Sequence, residues 1–289
     1  MTSSASEFAA EILRRPRAVI GTGTQGRRIA LMLASQGGEV RIYGRSAGGR
    51  EEAKSFVEKN LADIARQIGG TPAHIVLCDS MDAAVANVGL AIEAVPEQLE
   101  LKRDIFGALD RLAPVDAVLA SNSSSYPSSQ IIEGLTHPER VLNTHFYMPP
   151  LQNSVELMSS GATRPELIEA LMDALPRFGL EPYHVQRESV GFIFNRIWAA
   201  IKRESLAVVA DGVATPKEVD RIFQSVLRSA EAPFRLMDKV GLDVVLDIEE
   251  HYATSKGHAP EGPRALLREY IQQGMLGEKS GRGFYDDYL

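Results

Sequence analysis

A doubly wound α/β sheet followed by an all-helical region is what this 289-residue sequence predicts, and three observations carry that expectation. Short apolar or β-branched runs alternate with helical stretches as far as about residue 187, the pattern of parallel strands covered on both faces by helices. A glycine-rich turn joins the first such run to the first helix after it. Past Ser189 the strand pattern stops and almost everything that follows has helical periodicity. The expected domains are therefore 1-187 and 188-289.

The elements follow in order. The first 16 residues lack the apolar stretch of a secretory leader and read as an amphipathic helical stub. Arg17–Ile20 reads as a strand, Gly21-Thr22-Gly23-Thr24-Gln25-Gly26 as a tight turn, and 27–34 as a helix. After Gly37-Gly38, Glu39–Tyr43 is a second strand at the crossover spacing of a parallel βαβ unit. A helix is expected over 51–68, and strands over 75–77, 90–94, 117–120, 141–144, 155–158 and 183–185. Thr163 with Glu166 is a capping-box signal for a helix from about 165 to 178, and Thr215-Pro216-Lys217-Glu218 is a second one. A long apolar helix is expected over 192–210.

Composition excludes several classes of function. With 31 Lys+Arg against 38 Asp+Glu the chain carries a formal charge of −7 and no basic run, which argues against nucleic-acid binding. Charges or glycines interrupt every apolar run before the ~18 residues that a membrane span requires. A small-molecule substrate is the expected partner, and a local site can still attract an anion. Cys78 is the sole cysteine, so an intrachain disulfide and a cysteine-rich metal centre are excluded, and a reducing, cytoplasmic setting fits.

The turn glycines have separate physical tasks. Gly21 permits the turn, Gly23 lets the backbone approach a pyrophosphate, and Gly26 allows close packing of helix on strand, with the helix N-terminus facing the anion. The strand before and the helix after make this a dinucleotide site, with Thr24 and Gln25 completing the turn. The acidic residue that commonly ends the second strand and binds the adenosine ribose is absent, and the chain there reads Tyr43-Gly44-Arg45-Ser46. A guanidinium and a hydroxyl without a repelling carboxylate suit a 2′-phosphate, so NADP(H) is expected ahead of NAD(H). The bland alternative leaves Arg45 stacked on adenine or in solvent.

Polar residues in apolar or strand-end settings mark a second constellation: the serine-rich loop 121–125, His145, Glu156, and Asn195 inside the apolar helix. Hydride transfer at a carbinol carbon needs a group that takes the hydroxyl proton, which neutral imidazole does near pH 7. A carboxylate on its other nitrogen would fix the tautomer and stabilise the imidazolium. His145 and Glu156 fall on adjacent expected strands, so pairing between them is open, as is the alternative of a strand-end histidine satisfied by backbone beside an exposed glutamate.

With those residues in view, the chain resembles the L-3-hydroxyacyl-CoA dehydrogenase family, including its L-gulonate 3-dehydrogenase and lambda-crystallin branch. The segments that carry the likeness are VIGTGTQGRRIA, IEAVPEQLELKRDIF, ASNSSSYPSSQI, ERVLNTHFYMPP, VELM, ESVGFIFNRIW, APFRLMDKVGLD and GEKSGRGFYDDY, almost end to end. The resemblance implies a Rossmann-type first domain, a helical domain that dimerises, and a site in the cleft between them. It implies His145 as general base, Glu156 as its orienting carboxylate, Ser124 and Asn195 as hydrogen-bond donors to substrate oxygens, and Glu97, Lys102 and Asn122 on the cofactor side. Family members of the crystallin branch keep open a second class of function, a non-catalytic NAD(P)H-binding structural or redox-sensing protein, against which the joint presence of Ser124, His145, Glu156 and Asn195 argues.

Departures from the family pattern touch the substrate. Met148 stands where asparagine is common, and Glu156 is one residue closer to His145 than in the acyl-CoA enzymes. The stretch 51–70, where those enzymes carry a longer lysine-rich arm that meets CoA, holds only Lys54, Lys59 and Arg66, with Arg50 just before it. A small or free 3-hydroxy acid, or an unrelated specialised ketone, is then an alternative to a CoA thioester. Elsewhere, Met81, Met148, Met158 and Met172 are scattered, Trp198 reads as core or interface, and Asp286-Asp287 as an exposed charge pair. His251 and His258, with Glu249 and Glu250, flank an expected loop without any metal-ligand spacing, so no metal site is expected.

Overall fold

The computed structural model describes residues 4–256 and 260–288, which divide into two compact units, 1–193 and 194–289. The first unit runs α1 (Ala5–Arg14), β1 (Arg17–Ile20), α2 (Thr24–Leu33), β2 (Glu39–Tyr43), α3 (Ala47–Gln67), β3 (His74–Cys78), α4 (Met81–Val85), β4 (Leu90–Glu93), α5 (Leu99–Leu112), β5 (Val118–Ser121), β6 (Val141–Met148), β7 (Gln152–Ser159), α6 (Pro165–Ala174) and β8 (Glu181–Val185). One sheet takes the order β3-β2-β1-β4-β5-β6-β7-β8, with β6 and β7 antiparallel and all other neighbours parallel. The order reverses between β1 and β4, and at such a switch point the strand ends leave a crevice for a ligand.

The central strands β1, β4 and β5 are buried along their whole length because both faces are covered. Val19, Ile42, Ile92 and Leu142 pack with Ile12, Ile29, Val57 and Leu171 of α1, α2, α3 and α6. Their neighbours Ala18, Ile20, Ala91 and Leu119 pack on the opposite face with Val85 of α4 and with Phe106 and Leu109 of α5. This is the Rossmann-type arrangement that the glycine turn requires.

The second unit is helical: α7 (Phe194–Ala210), α8 (Pro216–Leu227), α9 (Pro233–Val240), α10 (Leu242–Lys256) and α11 (Glu261–Gln272). Its core gathers Leu206, Phe234, Met237, Leu242, Val245 and Leu267 with Phe284 and Tyr285 of the tail. Two buried carboxylates hold that tail in place. Asp238 accepts from the Phe284 and Tyr285 amides and the Tyr288 hydroxyl, and Asp220 accepts from the Phe234 amide and the Tyr285 hydroxyl.

Several local expectations are corrected. Thr163 caps no helix: its hydroxyl donates to the Val141 carbonyl, and α6 begins at Pro165 with Arg164 as an N-cap lacking a side-chain bond. Thr215 does form the reciprocal box with Glu218. The long helix begins at Phe194, because Phe192 adopts φ 52°, outside helical space. The divide between units falls after residue 193 where 187 was expected, because Phe192 packs with Met158 of β7 and Val185 of β8 and so belongs to the first unit. Asp286 and Asp287 are exposed as expected, and both Asp287 oxygens accept from the Arg235 guanidinium. His251 lies within α10, and His258 and the loop expected after that helix lie outside the described residues.

Candidate active site

Two of the three turn glycines, Gly21 and Gly26, are dictated by space. A Cβ on Gly21 would stand 2.3 Å from the Ala94 carbonyl oxygen, and the residue takes φ 129°. On Gly26 it would stand 2.0 Å from the Gly21 oxygen. Gly23 differs, because nothing lies within 4 Å of where its Cβ would be. It is the N-cap of α2 and makes no side-chain capping bond, so the first-turn amides face open space beside a bare backbone, as pyrophosphate binding requires. A cleft of about 1190 Å³ opens there. Gly21, Gly23, Thr24, Gln25, Gly44, Arg45, Ser46, Glu97 and Asn122 line it, and so do Ser124 and His145. A dinucleotide therefore fits the residues present.

Individual contacts refine those assignments. Gln25 donates to the Phe146 carbonyl at 3.2 Å and to that of Tyr147, tying the glycine turn to the end of β6. Gly44 comes so close to Thr22 that a Cβ would lie 2.6 Å from its methyl carbon. Ser46 caps α3 by accepting from the Gly49 amide, while Arg45 is exposed at the cleft edge. Asn122 accepts from the Phe146 amide at 3.0 Å, which aligns the serine loop with the strand carrying His145.

Lys102 is not a wall of the cleft. It is 1% exposed, and its ammonium lies 2.8 Å from Glu93 Oε1 and 3.1 Å from Glu97 Oε2. Glu93, fully buried at the end of β4, also accepts from the Val95 amide and the Ser121 hydroxyl. Glu97 accepts from the Ser123 hydroxyl and from the amides of Ser124 and Ser125. Burial alone would raise the Glu97 carboxyl, but the Lys102 ammonium and these donors hold it below the ordinary carboxylate range. The result is a charged anchor beneath the loop that presents Ser124. Glu93 was not anticipated, although a carboxylate ending the apolar run Leu90-Ala91-Ile92 was a visible signal.

His145 and Glu156 are direct register partners in the antiparallel β6–β7 pair, so their side chains share one face of the sheet. His145 Nδ1 and Glu156 Oε2 are 3.0 Å apart, with the residues 7% and 2% exposed. That contact occupies Nδ1 and leaves Nε2 as the nitrogen available for a substrate proton. Three further elements of the site had no expectation attached. The Tyr147 hydroxyl donates to the same Oε2 at 2.8 Å, the Ile193 amide donates to Oε1 at 2.8 Å, and the Phe192 ring stacks on the imidazole at 4.8 Å. The left-handed backbone at Phe192 makes the last two possible at once.

Asn195 belongs to the second unit, where it is half-buried in the first turn of α7 and not in the helix interior as expected. Trp198 on the same helix is half-buried. Among the described residues no group of three or more His, Cys, Asp or Glu side chains is arranged to hold a metal ion.

Comparison with known proteins agrees with this geometry. Residues 17–189 match the family model for the 3-hydroxyacyl-CoA dehydrogenase NAD binding domain, and residues 191–287 match the model for the 3-hydroxyacyl-CoA dehydrogenase C-terminal domain. A probable 3-hydroxybutyryl-CoA dehydrogenase of Bacillus subtilis is 32% identical over 276 residues, covering 93% of this chain and 96% of that protein. Among solved structures, a diketoreductase that acts on dicarbonyl compounds superposes with a TM-score of 0.81 at 28% identity, covering 99% of both chains. The (S)-3-hydroxybutyryl-CoA dehydrogenase of Ralstonia eutropha superposes with a TM-score of 0.82 at 27% identity, covering 94% of this chain and 98% of that one. A glycine turn built for a nicotinamide dinucleotide, a buried histidine and carboxylate beside it, and these likenesses over both units converge: the chain belongs to the 3-hydroxyacyl-CoA dehydrogenase family of hydride-transferring oxidoreductases.

Proposed function

We propose that this protein oxidises a 3-hydroxy substrate, or reduces the 3-oxo form, with His145 exchanging the hydroxyl proton. The observation that carries the reading is that His145 and the glycine turn line one cleft. In the oxidative direction Nε2 takes the hydroxyl proton and Glu156, at Nδ1, stabilises the resulting imidazolium. The bound nicotinamide supplies hydride chemistry at the carbinol carbon. Ser124, held by its amide on Glu97, is the proposed donor to a substrate oxygen, and Asn195 is the proposed second donor.

NADP(H) is the preferred cofactor in this reading. Arg45 and Ser46 follow β2 at the cleft edge, and among the described residues no carboxylate pairs with Arg45. Arg45→Ala should lower kcat/KM for NADPH by roughly tenfold, the value of one charge-assisted contact, and leave NADH nearly unchanged. A wild-type protein that strongly prefers NADH overturns the assignment.

The substrate is proposed to be short. On α3, Arg50 is turned inward onto the Gly44 carbonyl and Asp79, Lys54 lies 3.8 Å from Glu58, Arg66 bonds Asp63 at 2.6 Å, and Lys59 is exposed, which leaves few cations for the phosphates of CoA. The likeness to a diketoreductase favours a second reading, reduction of a dicarbonyl compound that is not a CoA ester. Following NADPH and NADH absorbance with acetoacetyl-CoA, free 3-oxo acids and cyclic ketones side by side separates the two. No turnover on any of them, with tight NADPH binding, would instead favour a non-catalytic role.

We also propose a homodimer formed through the second unit. Ile222, Val226 and Leu227 of α8 are 64%, 70% and 61% exposed, an apolar stripe at helical spacing. A monomeric mass in solution refutes it. A cytoplasmic setting accords with the lone free thiol of Cys78.

A further inference from the structure

We propose that Tyr147 is a positioning residue that tunes the proton affinity of His145 through the carboxylate they share. The inference rests on the reading that His145 exchanges the substrate proton. Glu156 Oε2 faces two donors at once, the Tyr147 hydroxyl at 2.8 Å and the imidazole Nδ1 at 3.0 Å. Its other oxygen accepts from the Ile193 amide. The carboxylate is 2% exposed, so these donors rather than bulk water stabilise its charge. Every donor on Oε2 draws negative charge away from the imidazole, and the imidazolium is stabilised less than it would be by a carboxylate without the phenol.

Tyr147 cannot reverse that role by ionising. Burial pushes its hydroxyl far above the ordinary tyrosine range, and the hydrogen bond to Glu156 pushes it further in the same direction. It remains a neutral donor at any working pH. Its ring centroid lies 4.7 Å from that of His145, inclined by 57°, so the ring packs on the imidazole while the oxygen reaches the carboxylate.

From the loop after β8 the imidazole meets the uncharged Phe192 ring. From β8 itself, Tyr183 is the register partner of Glu156, and its hydroxyl turns to Glu181 at 3.3 Å. Across the cleft, the Glu97 charge is met by Lys102. From α2, Gln25 is uncharged and donates to backbone.

The sign follows. The phenol weakens the charge that Glu156 offers the imidazolium, so oxidation of a hydroxy substrate should extend further toward acid than it would without it. Tyr147→Phe keeps the ring and deletes only the donor. The His145 titration, followed by NMR on the histidine-labelled full-length protein and assigned by the resonance missing in His145→Gln, should rise by roughly half to one pH unit in Tyr147→Phe. The acid limb of kcat/KM for oxidation should move up by the same amount on whichever substrate of the panel is turned over. A melting temperature within a few degrees of wild type reports that the variant is folded. An unchanged or lowered titration overturns the proposal while leaving the proton-exchange reading intact. A His145→Gln protein with wild-type turnover overturns both.

Discussion

Replacing Lys102 by methionine removes one ammonium and nearly nothing else, because the apolar stem is conserved in length. Its consequence is set by what the ammonium touches: Glu93 Oε1 at 2.8 Å, with Glu93 fully buried, and Glu97 Oε2 at 3.1 Å, with the Glu97 side chain 35% exposed. Breaking a buried ion pair by deleting one partner costs about 3–5 kcal/mol, since the surviving charge is left uncompensated. Glu93 keeps the Val95 amide and the Ser121 hydroxyl as donors, and Glu97 can turn toward solvent, so the lower end, about 3 kcal/mol, applies. For a unit of this size that corresponds to a Tm lower by roughly 6–12 °C. Differential scanning calorimetry of Lys102→Met and of Lys102→Met/Glu93→Gln measures it, and the double variant should recover more than half of the loss because no bare charge remains. A single variant within about 2 °C of wild type, on the same size scaling, would refute the reasoning, as would a double variant no better than the single.

The glycines separate folding from cofactor binding. Gly26→Ala forces a Cβ to 2.0 Å from a backbone oxygen and should fail to fold or lose the dinucleotide site, whereas Gly23→Ala, at φ −67° with open space around it, should keep the wild-type Tm and bind NADPH at least about tenfold more weakly by fluorescence titration. The depressed Glu97 carboxyl adds stability above the unfolded value near ~4.3 that is lost as pH falls through the lower folded value, so acid unfolding below about pH 4.5 should be less steep in Glu97→Gln.

The parts of this fold written in continuous chain were legible in the sequence. β1, the glycine turn and α2 read directly, because an apolar run, three glycines with steric tasks and a helical period are local facts. His145 and Glu156 could be named, but their pairing depended on β6–β7 register, which hydrophobic pattern sets only loosely at polar strand ends such as Tyr147-Met148 and Gln152-Asn153. Thr163 and Thr215 carry the same capping signature and behave differently. Thr215 has only its own helix to serve, whereas Thr163 lies beside the start of β6, where its hydroxyl donates a hydrogen bond to the Val141 carbonyl. Phe192 belongs to an apolar run that reads as helix, and its left-handed backbone is held by long-range contacts, its ring on His145 and the following amide on Glu156, that the run does not reveal. Tyr147 was missed for a related reason: an aromatic residue at a strand end signals packing until a buried carboxylate is found within reach of its hydroxyl.

Replacing the imidazole itself separates proton exchange from cofactor binding. His145→Gln, assayed for turnover and for nicotinamide dinucleotide affinity on the same preparation, should lose roughly three or more orders of magnitude in kcat while cofactor affinity stays within about twofold, as the proposed role in moving the substrate proton requires. Turnover within about tenfold of wild type, or cofactor binding lost in step with activity, would contradict the claim that His145 exchanges the substrate proton in this cleft.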